Sequence, residues 1–411
     1  MKIDAGTIIF LTAIFIGLFS STYMLLTTYE NWGRHKSKKA RKNLPSVCII
    51  VPVLNEGEAL RKTIHSLQLL DYPKELLEIM VVDDGSTDDS YQLAKSLGVT
   101  AYKKKNGGKH TALNYGLKRT NAELVGALDA DSEVASDALR KIVTQFRNSR
   151  VMAVTPSMKI NTPQGILRRI QSIEFIIGIF LRRVFADVGS QHVTPGPFTI
   201  YRREFFEKHG LYRSAHLTED IEVALRIQSH DYLIENATDA YVYTHGPSSW
   251  KGLYKQRLRW YHGFLSNVWD YRHLFSRKHG NLGLFVLPMS FISLAMLSSV
   301  LLYTIIKTAT TVFQNTYNYW LIGFEVWEIF ELNFDLFFVN VSPVALLGIV
   351  TFMLSVTMLL ISRHYSNESK VTLSFILFML FYSWLYVFWW AAALTHKVLK
   401  RPVVWGHKSS D

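Results

Sequence analysis

A doubly wound, mostly parallel α/β sheet, joined to an α-helical membrane region with interfacial helices, is the fold class this sequence predicts. Three observations carry it. Residues 46–130 alternate short apolar runs with helical spacings, the rhythm of successive β-α-β units. The runs 47–53 and 77–82 are almost wholly apolar rather than alternating, as strands covered on both faces are. Residues 7–28, 285–306, 341–361 and 371–396 are apolar stretches, near the roughly 20 residues a helix needs to cross a bilayer.

These patterns divide the 411 residues into an N-terminal transmembrane helix (1–33), an α/β domain (34–280) with interfacial helices near 165–185 and 250–275, and a C-terminal transmembrane region (281–411). The formal charge of +12 lies largely beside the apolar runs, in the stretch from Arg34 to Lys42 and in Lys397, Lys400, Arg401 and Lys408. That is the positive-inside pattern, with attraction to anionic lipid headgroups, and no nucleic-acid partner is expected. The single Cys48 excludes an intrachain disulfide and reads as core. Residues 7–28 run longer than a signal-peptide core, lack a clear small-residue cleavage site, and are followed rather than preceded by basic residues. They read as an anchor with its N-terminus outside and the α/β domain in the cytoplasm, at the plasma membrane.

The strand Val47-Cys48-Ile49-Ile50-Val51-Pro52-Val53-Leu54-Asn55-Glu56 is stopped by polar residues, and Leu60, Ile64, Leu67 and Leu70 then fall at helical spacing. A second strand, Leu77 to Val82, ends in Asp83-Asp84-Gly85-Ser86-Thr87-Asp88. Ser86 or Asp88 is expected to cap the helix that runs through Leu97. After Val99-Thr100-Ala101-Tyr102 come Lys103-Lys104-Lys105-Asn106-Gly107-Gly108-Lys109 and a helix through Leu117. The run Ala122 to Leu128 then delivers Asp129-Ala130-Asp131 to a strand's carboxyl end.

Asp129 and Asp131 stand at i and i+2 at the end of a strand, where the backbone turns and two carboxylates can share a ligand. The carboxyl ends of strands are where open α/β sheets bind ligands. Hard oxygen ligands suit Mg²⁺ or Mn²⁺ carrying phosphates. Taken alone, each feature has a plainer reading: Asp-x-Asp as capping residues, Asp-Asp-Gly as a turn, Gly-Gly-Lys as a flexible loop. Their order on successive strands favours one site. There Asp84 would accept hydrogen bonds from a base or ribose and Lys109 would pair with phosphate.

Pro52 to Glu56, Asp83 to Asp88, Asn106 to Lys109 and Asp129 to Asp131 resemble the nucleotide-sugar half of an inverting family-2 glycosyltransferase with a GT-A fold. Thr218-Glu219-Asp220 is similar to that family's catalytic-base motif, and Gln256-Arg257-Leu258-Arg259-Trp260 to the Q-x-x-R-W motif of its processive membrane polysaccharide synthases. The resemblance covers residues from about 46 to 275. It implies that Pro52, Leu54, Glu56, Val82 and Asp84 line the nucleoside pocket and that Asp129 and Asp131 hold the diphosphate through Mg²⁺ or Mn²⁺. Lys109, Gln256 and Arg259 join the donor site, Trp260 and Glu219 the acceptor site, and Asp220 is the general base. Thr218-Glu219-Asp220 also reads as a helix capping box, and both readings can hold. Gln256, Arg259 and Trp260 share one helical face, while Trp250, Tyr254, Tyr261, Phe264, Trp269 and Tyr271 read as an aromatic belt beside lipid. Thr194-Pro195-Gly196-Pro197-Phe198 is a tight loop that the resemblance places near the acceptor. Arg182 and Arg183 read as part of an interfacial helix.

The membrane topology stays open. Residues 319–339 read as an interfacial or re-entrant helix, or as a polar path, because Glu325, Glu328, Glu331 and Asp335 lie near one helical face. Three functions compete. A processive synthase would polymerise sugar from UDP-N-acetylglucosamine and pass the chain through its own helices, with a small membrane partner subunit. Poly-N-acetylglucosamine synthases resemble the chain in length and motifs, as do chitin, hyaluronan and cellulose synthases less closely. The alternative is a single-sugar transferase to a lipid carrier or glycolipid, using a UDP- or GDP-sugar; such enzymes usually lack Gln256 to Trp260. A transporter or binding protein would show no dependence on Asp220.

Overall fold

The computed structural model describes residues 5–32, 43–322, 343–368 and 373–403. It divides into two compact units, Met1–Leu26 with Met289–Leu359, and Thr27–Pro288 with Leu360–Asp411. The basic stretch 34–42, the four acidic residues between 325 and 335, and Lys408 lie outside the described residues.

The larger unit is built on β1 (Val47–Val53), α2 (Gly57–Gln68), β2 (Leu77–Asp83), α3 (Ser90–Ser96), β3 (Thr100–Lys103), α4 (Lys109–Leu117), β4 (Leu124–Ala127), β5 (Glu133–Val134), α5 (Ala138–Val143), β6 (Val151–Ile160), α6 (Gly165–Asp187), β7 (Ile200–Arg202), α7 (Arg203–His209), α8 (Glu219–Ser229), β8 (Leu233–Thr244) and α9 (Trp250–Asp270). The helix preceding all of these, α1 (Ala5–Glu30), is shared between the two units.

Eight strands form one sheet in the order β3-β2-β1-β4-β7-β6-β8-β5. The first four run parallel, β7 is antiparallel to both neighbours, β6 and β8 are parallel, and β5 is antiparallel to β8. The expected doubly wound, mostly parallel architecture is present. Connections from β1 lead outward through β2 to β3, and the chain then returns to place β4 on the other side of β1. The loops after β1 and β4 therefore open onto the switch point, where such sheets leave a crevice.

Alternation along β1 explains its uninterrupted apolar run. Val47, Ile49, Val51 and Val53 pack with Leu60, Ile64 and Leu67 of α2, whereas Cys48 and Ile50 pack with Met80, Val82, Ala112 and Leu113 beside α4. Both faces are core, so no position can be polar. Burial pushes the Cys48 thiol well above its usual range, which leaves it an inert core group.

The second helix boundary differs from expectation. α3 begins at Ser90, with no side-chain cap. Asp88 accepts only from the Ser90 N–H at 3.1 Å, and Ser86 Oγ instead accepts from the Asn55 N–H at 3.0 Å. The polar residues after β2 stitch two loops together rather than start a helix.

α6 and α9 match the two expected interfacial helices in position, but both carry more core than that reading implies. Arg183 is buried, ion-paired with Asp187 at 2.5 Å, and donates to the Asn236 carbonyl at 3.0 Å. Trp250 and Trp269 are exposed, as belt residues would be. Tyr261 and Phe264 instead pack on Trp390 of α12 (Leu373–Val398) at centroid distances of 4.7 and 5.8 Å.

The smaller unit contains most of α1, of α10 (Leu287–Ile322) and of α11 (Pro343–Ser366). Small residues permit its helices to approach: a Cβ at Gly6 would overlap the Tyr303 ring, and Phe10 meets that ring edge-on at 5.8 Å. Three stretches, Ala5–Glu30, Leu282–Asn318 and Ala345–Ser366, are long and apolar enough to cross a membrane. The fourth expected run is helical as α12 and packs against α6 and α9.

Candidate active site

At the switch point the β1 and β2 loops are laced together. Asn55 takes a positive φ of 55° and its Oδ1 accepts from the Thr87 N–H at 2.9 Å. Ser90 Oγ accepts from the N–H groups of Glu56 and Gly57. Asp83 is fully buried and folds the turn by accepting from the N–H groups of Gly85 and Ser86.

Asp84 sits one residue on, 3% exposed. Its Oδ1 accepts from Lys104 Nζ at 2.5 Å and the Gly107 N–H at 3.1 Å, and its Oδ2 accepts from the Gly108 N–H at 2.8 Å. The Gly-Gly sequence is needed there because Gly108 has a φ of 89°. Pro52 and Leu54 are half-buried beside this loop. Val82 corrects the expectation that it lines a pocket: its side chain is fully buried in the core cluster beside α4, so it supports the site only from behind.

Lys109, the first residue of α4, reaches across the crevice. Its Nζ lies 2.7 Å from Asp129 Oδ1 and 3.2 Å from Glu219 Oε1. One ammonium thus joins the turn after β4 to the first turn of α8, 90 positions later in the chain. Asp220 lies in the same field. Its carboxyl is pushed up to about 6, first by burial and then by the neighbouring Glu219, with Lys109 and Arg259 pulling the other way. A carboxylate titrating there is poised to accept a proton near neutral pH.

The loop after α6 closes this site. Thr194 Oγ1 donates to the Asp220 carbonyl at 2.6 Å and accepts from the Tyr201 hydroxyl at 3.0 Å. A Cβ at Gly196 would stand 3.1 Å from Lys109 Nζ and 3.8 Å from Asp129 Oδ2. The tight Thr194–Phe198 loop therefore lies against the acidic cluster.

Before α8, Ala215, His216 and Leu217 all take positive φ, at 43°, 54° and 65°. Such conformations in non-glycine residues persist where surrounding contacts enforce them. Here α9 does so: Arg259 Nη1 donates to the Leu217 carbonyl at 2.9 Å, and Asn267 Nδ2 donates to Thr218 Oγ1 at 2.8 Å and the Ala215 carbonyl at 3.2 Å. Thr218 consequently makes no side-chain cap to α8. The capping half of the expected double role is absent, because Asn267 and the Ala215 carbonyl occupy the hydroxyl.

Gly263 lets α9 come this close. A Cβ there would fall 2.2 Å from Thr218 Oγ1 and 2.5 Å from its Cγ2. Gly263→Ala is expected to shift Thr218, and Asp220 with it, at a cost of about 1–3 kcal/mol. Turnover should fall although α9 gains a better helix former. Circular dichroism and initial rates check this; wild-type turnover would remove α9 as the support of Asp220.

Asp131, Gln256 and Trp260 make other contacts. The Asp131 carbonyl lies 3.0 Å from His245 Nδ1, a contact that ties its loop to the end of β8 and gives His245 a role the sequence did not signal. Gln256 accepts from Arg257, whose guanidinium covers the Trp260 ring at 4.2 Å and pairs with Glu174 of α6. One face of Trp260 is thus taken by protein. Among the described residues, no three His, Cys, Asp or Glu side chains are grouped to hold a metal. The Asp129 carboxylate beside Lys109 is a hard oxygen donor of the kind Mg²⁺ uses, an ion that takes one or two carboxylates and completes its shell with substrate phosphates.

A switch-point crevice with two aspartates, a bridging lysine and a raised-pKa aspartate, on a chain with membrane-length helices, defines a membrane-associated transferase of the GT-A class. Residues 48–210 match the family model described as Glycosyl transferase family 2, on a chain with three helices long and apolar enough to cross a membrane. It is 26% identical over 370 residues to the poly-beta-1,6-N-acetyl-D-glucosamine synthase of Staphylococcus epidermidis, an alignment covering 86% of this chain and 82% of that protein. To the beta-monoglucosyldiacylglycerol synthase of Nostoc sp. it is 28% identical over 284 residues, 66% of this chain and 61% of that one. Among solved structures, the mannosyltransferase PcManGT from Pyrobaculum calidifontis, in complex with GDP-Man and Mn²⁺, covers 95% of this chain and 99% of its own at 16% identity, with a TM-score of 0.52. That last likeness is one of fold.

Proposed function

We propose that this protein is an inverting, metal-dependent synthase that transfers N-acetylglucosamine from its UDP donor to a growing polysaccharide at the cytoplasmic face of the plasma membrane. The observation that carries the reading is the Lys109 bridge, which brings Asp129 within one cation of Glu219 and so beside Asp220. The names of the staphylococcal relatives favour the sugar and the polymer.

In this reading the Asp220 carboxylate takes the proton of the acceptor hydroxyl. The hydroxyl oxygen forms its bond to the anomeric carbon from the face opposite the diphosphate, and the anomeric C–O bond breaks with its electron pair leaving on the diphosphate. Lys109 offers charge to that leaving group, while Asp84, Pro52, Leu54 and Glu56 surround the nucleoside. Mg²⁺ or Mn²⁺ held by Asp129 and Asp131 would neutralise the departing phosphates. Trp260 and Glu219 border the acceptor. Chelation of divalent ions with EDTA is expected to abolish transfer and added Mn²⁺ to restore it.

The test is a screen of UDP- and GDP-sugars with purified protein in lipid, followed by mass analysis of product. Growth beyond one unit from UDP-N-acetylglucosamine supports the synthase. A single added sugar on a lipid, the reading favoured by the Nostoc relative, would replace it. Activity unaffected by EDTA would remove the metal.

A further inference from the structure

The acidic residues of the site are not bare. Lys109 lies between Asp129 and Glu219 with all three side chains partly shielded, at 19%, 33% and 12% exposure. A second lysine of the same segment, Lys104, is ion-paired with Asp84 at 2.5 Å. The stretch from Lys104 to Lys109 thus supplies one cation to Asp84 and one to Asp129.

We propose that Lys109 is a resident counter-cation, and that a divalent metal reaches Asp129 only when a nucleoside diphosphate arrives to take Lys109 over. The proposal rests on the metal-dependent reading given above. Its physical ground is charge. A divalent ion against Asp129 would meet an ammonium already 2.7 Å from the carboxylate oxygen, with Glu219 holding it there from the other side. Lysine is a compact cation on a flexible stem, well suited to exchange one anion for another. A diphosphate provides the second anion; a bare metal does not. Coupling of this kind is reciprocal, so nucleotide tightens metal and metal tightens nucleotide. Metal and donor would then enter the site as one unit.

Mn²⁺ binding to the full chain in detergent, read by electron paramagnetic resonance of the free ion, tests this without any turnover. Wild type is expected to bind Mn²⁺ alone weakly, and at least about tenfold more tightly with saturating UDP. Lys109→Met should bind Mn²⁺ alone at least about tenfold more tightly than wild type, with little further gain from UDP. Lys109→Gln serves as a second neutral variant if Lys109→Met does not fold, with the thermal melt as the check on each. The proposal is overturned if a folded neutral variant binds Mn²⁺ alone no more tightly than wild type. It is overturned equally if UDP leaves the wild-type Mn²⁺ affinity unchanged. Transfer that needs Mn²⁺ alongside either result removes this proposal alone. Absence of Mn²⁺ binding to every form, with transfer indifferent to EDTA, removes the metal-dependent reading as well.

Discussion

Asp220→Asn is expected to lower turnover by about 10²–10⁴-fold while donor binding stays near wild type, because it removes the base without removing a donor contact. The same residue sets the pH profile. Its carboxyl titrates at about 6, raised by burial and by Glu219. Turnover should therefore climb with pH up to about 6 and level off above it, and the Asn form should lose that limb. Stability runs the opposite way. The folded pKa lies above the unfolded value of 3.8, so between the two the folded chain holds a proton that the unfolded chain has released. The stabilisation attached to this group falls as pH rises through that window and is least above it. Asn carries no such charge and can still accept from the Ile221 N–H, which meets Asp220 Oδ1 at 2.9 Å. The variant should then melt no lower than wild type at pH 8. Rates and melts across pH 5–8 check both statements, and an Asn form that keeps wild-type turnover would strip Asp220 of its role.

The parts of this molecule legible in sequence are those fixed by local pattern. β1 could be read because burial on both faces forbids polar residues along it, and α4 because a glycine pair must precede Lys109. The Asp-x-Asp pair alone reads as capping residues, and only its order after the two preceding strand-end loops marks it as part of a site.

What escaped reading depends on contacts between distant segments. Nothing local says that Lys109 meets Glu219, that Asn267 takes the Thr218 hydroxyl, or that Val82 faces the core beside α4 rather than the crevice. A serine or aspartate after a strand satisfies capping rules, yet Ser86 serves Asn55 because the β1 loop lies within reach. Helix capping is a competition for hydroxyl groups, and tertiary partners win where they are buried.

The same division runs through the Gln256–Trp260 motif, where the residue outside the motif's fixed positions carries the structure. Arg257 is fully buried, pairs with Glu174 of α6, lies over Trp260 at 4.2 Å, and has Trp389 of α12 at 5.8 Å. It ties three helices at one point. Arg257→Met is expected to cost about 3–5 kcal/mol, because it leaves the Glu174 carboxylate without its cation. Replacing both partners, as Arg257→Met with Glu174→Leu, should recover most of that loss, since an apolar pair of similar volume has no charge to desolvate. Arg259 differs: its bond to the Leu217 carbonyl holds the left-handed run before α8, so Arg259→Ala should depress turnover more than melting temperature. Thermal melts and rates for the three proteins separate anchor from positioning residue. If Arg257→Met melts at the wild-type temperature, the ion pair does not tie the helices together, and the apolar contacts among α6, α9 and α12 hold them without it.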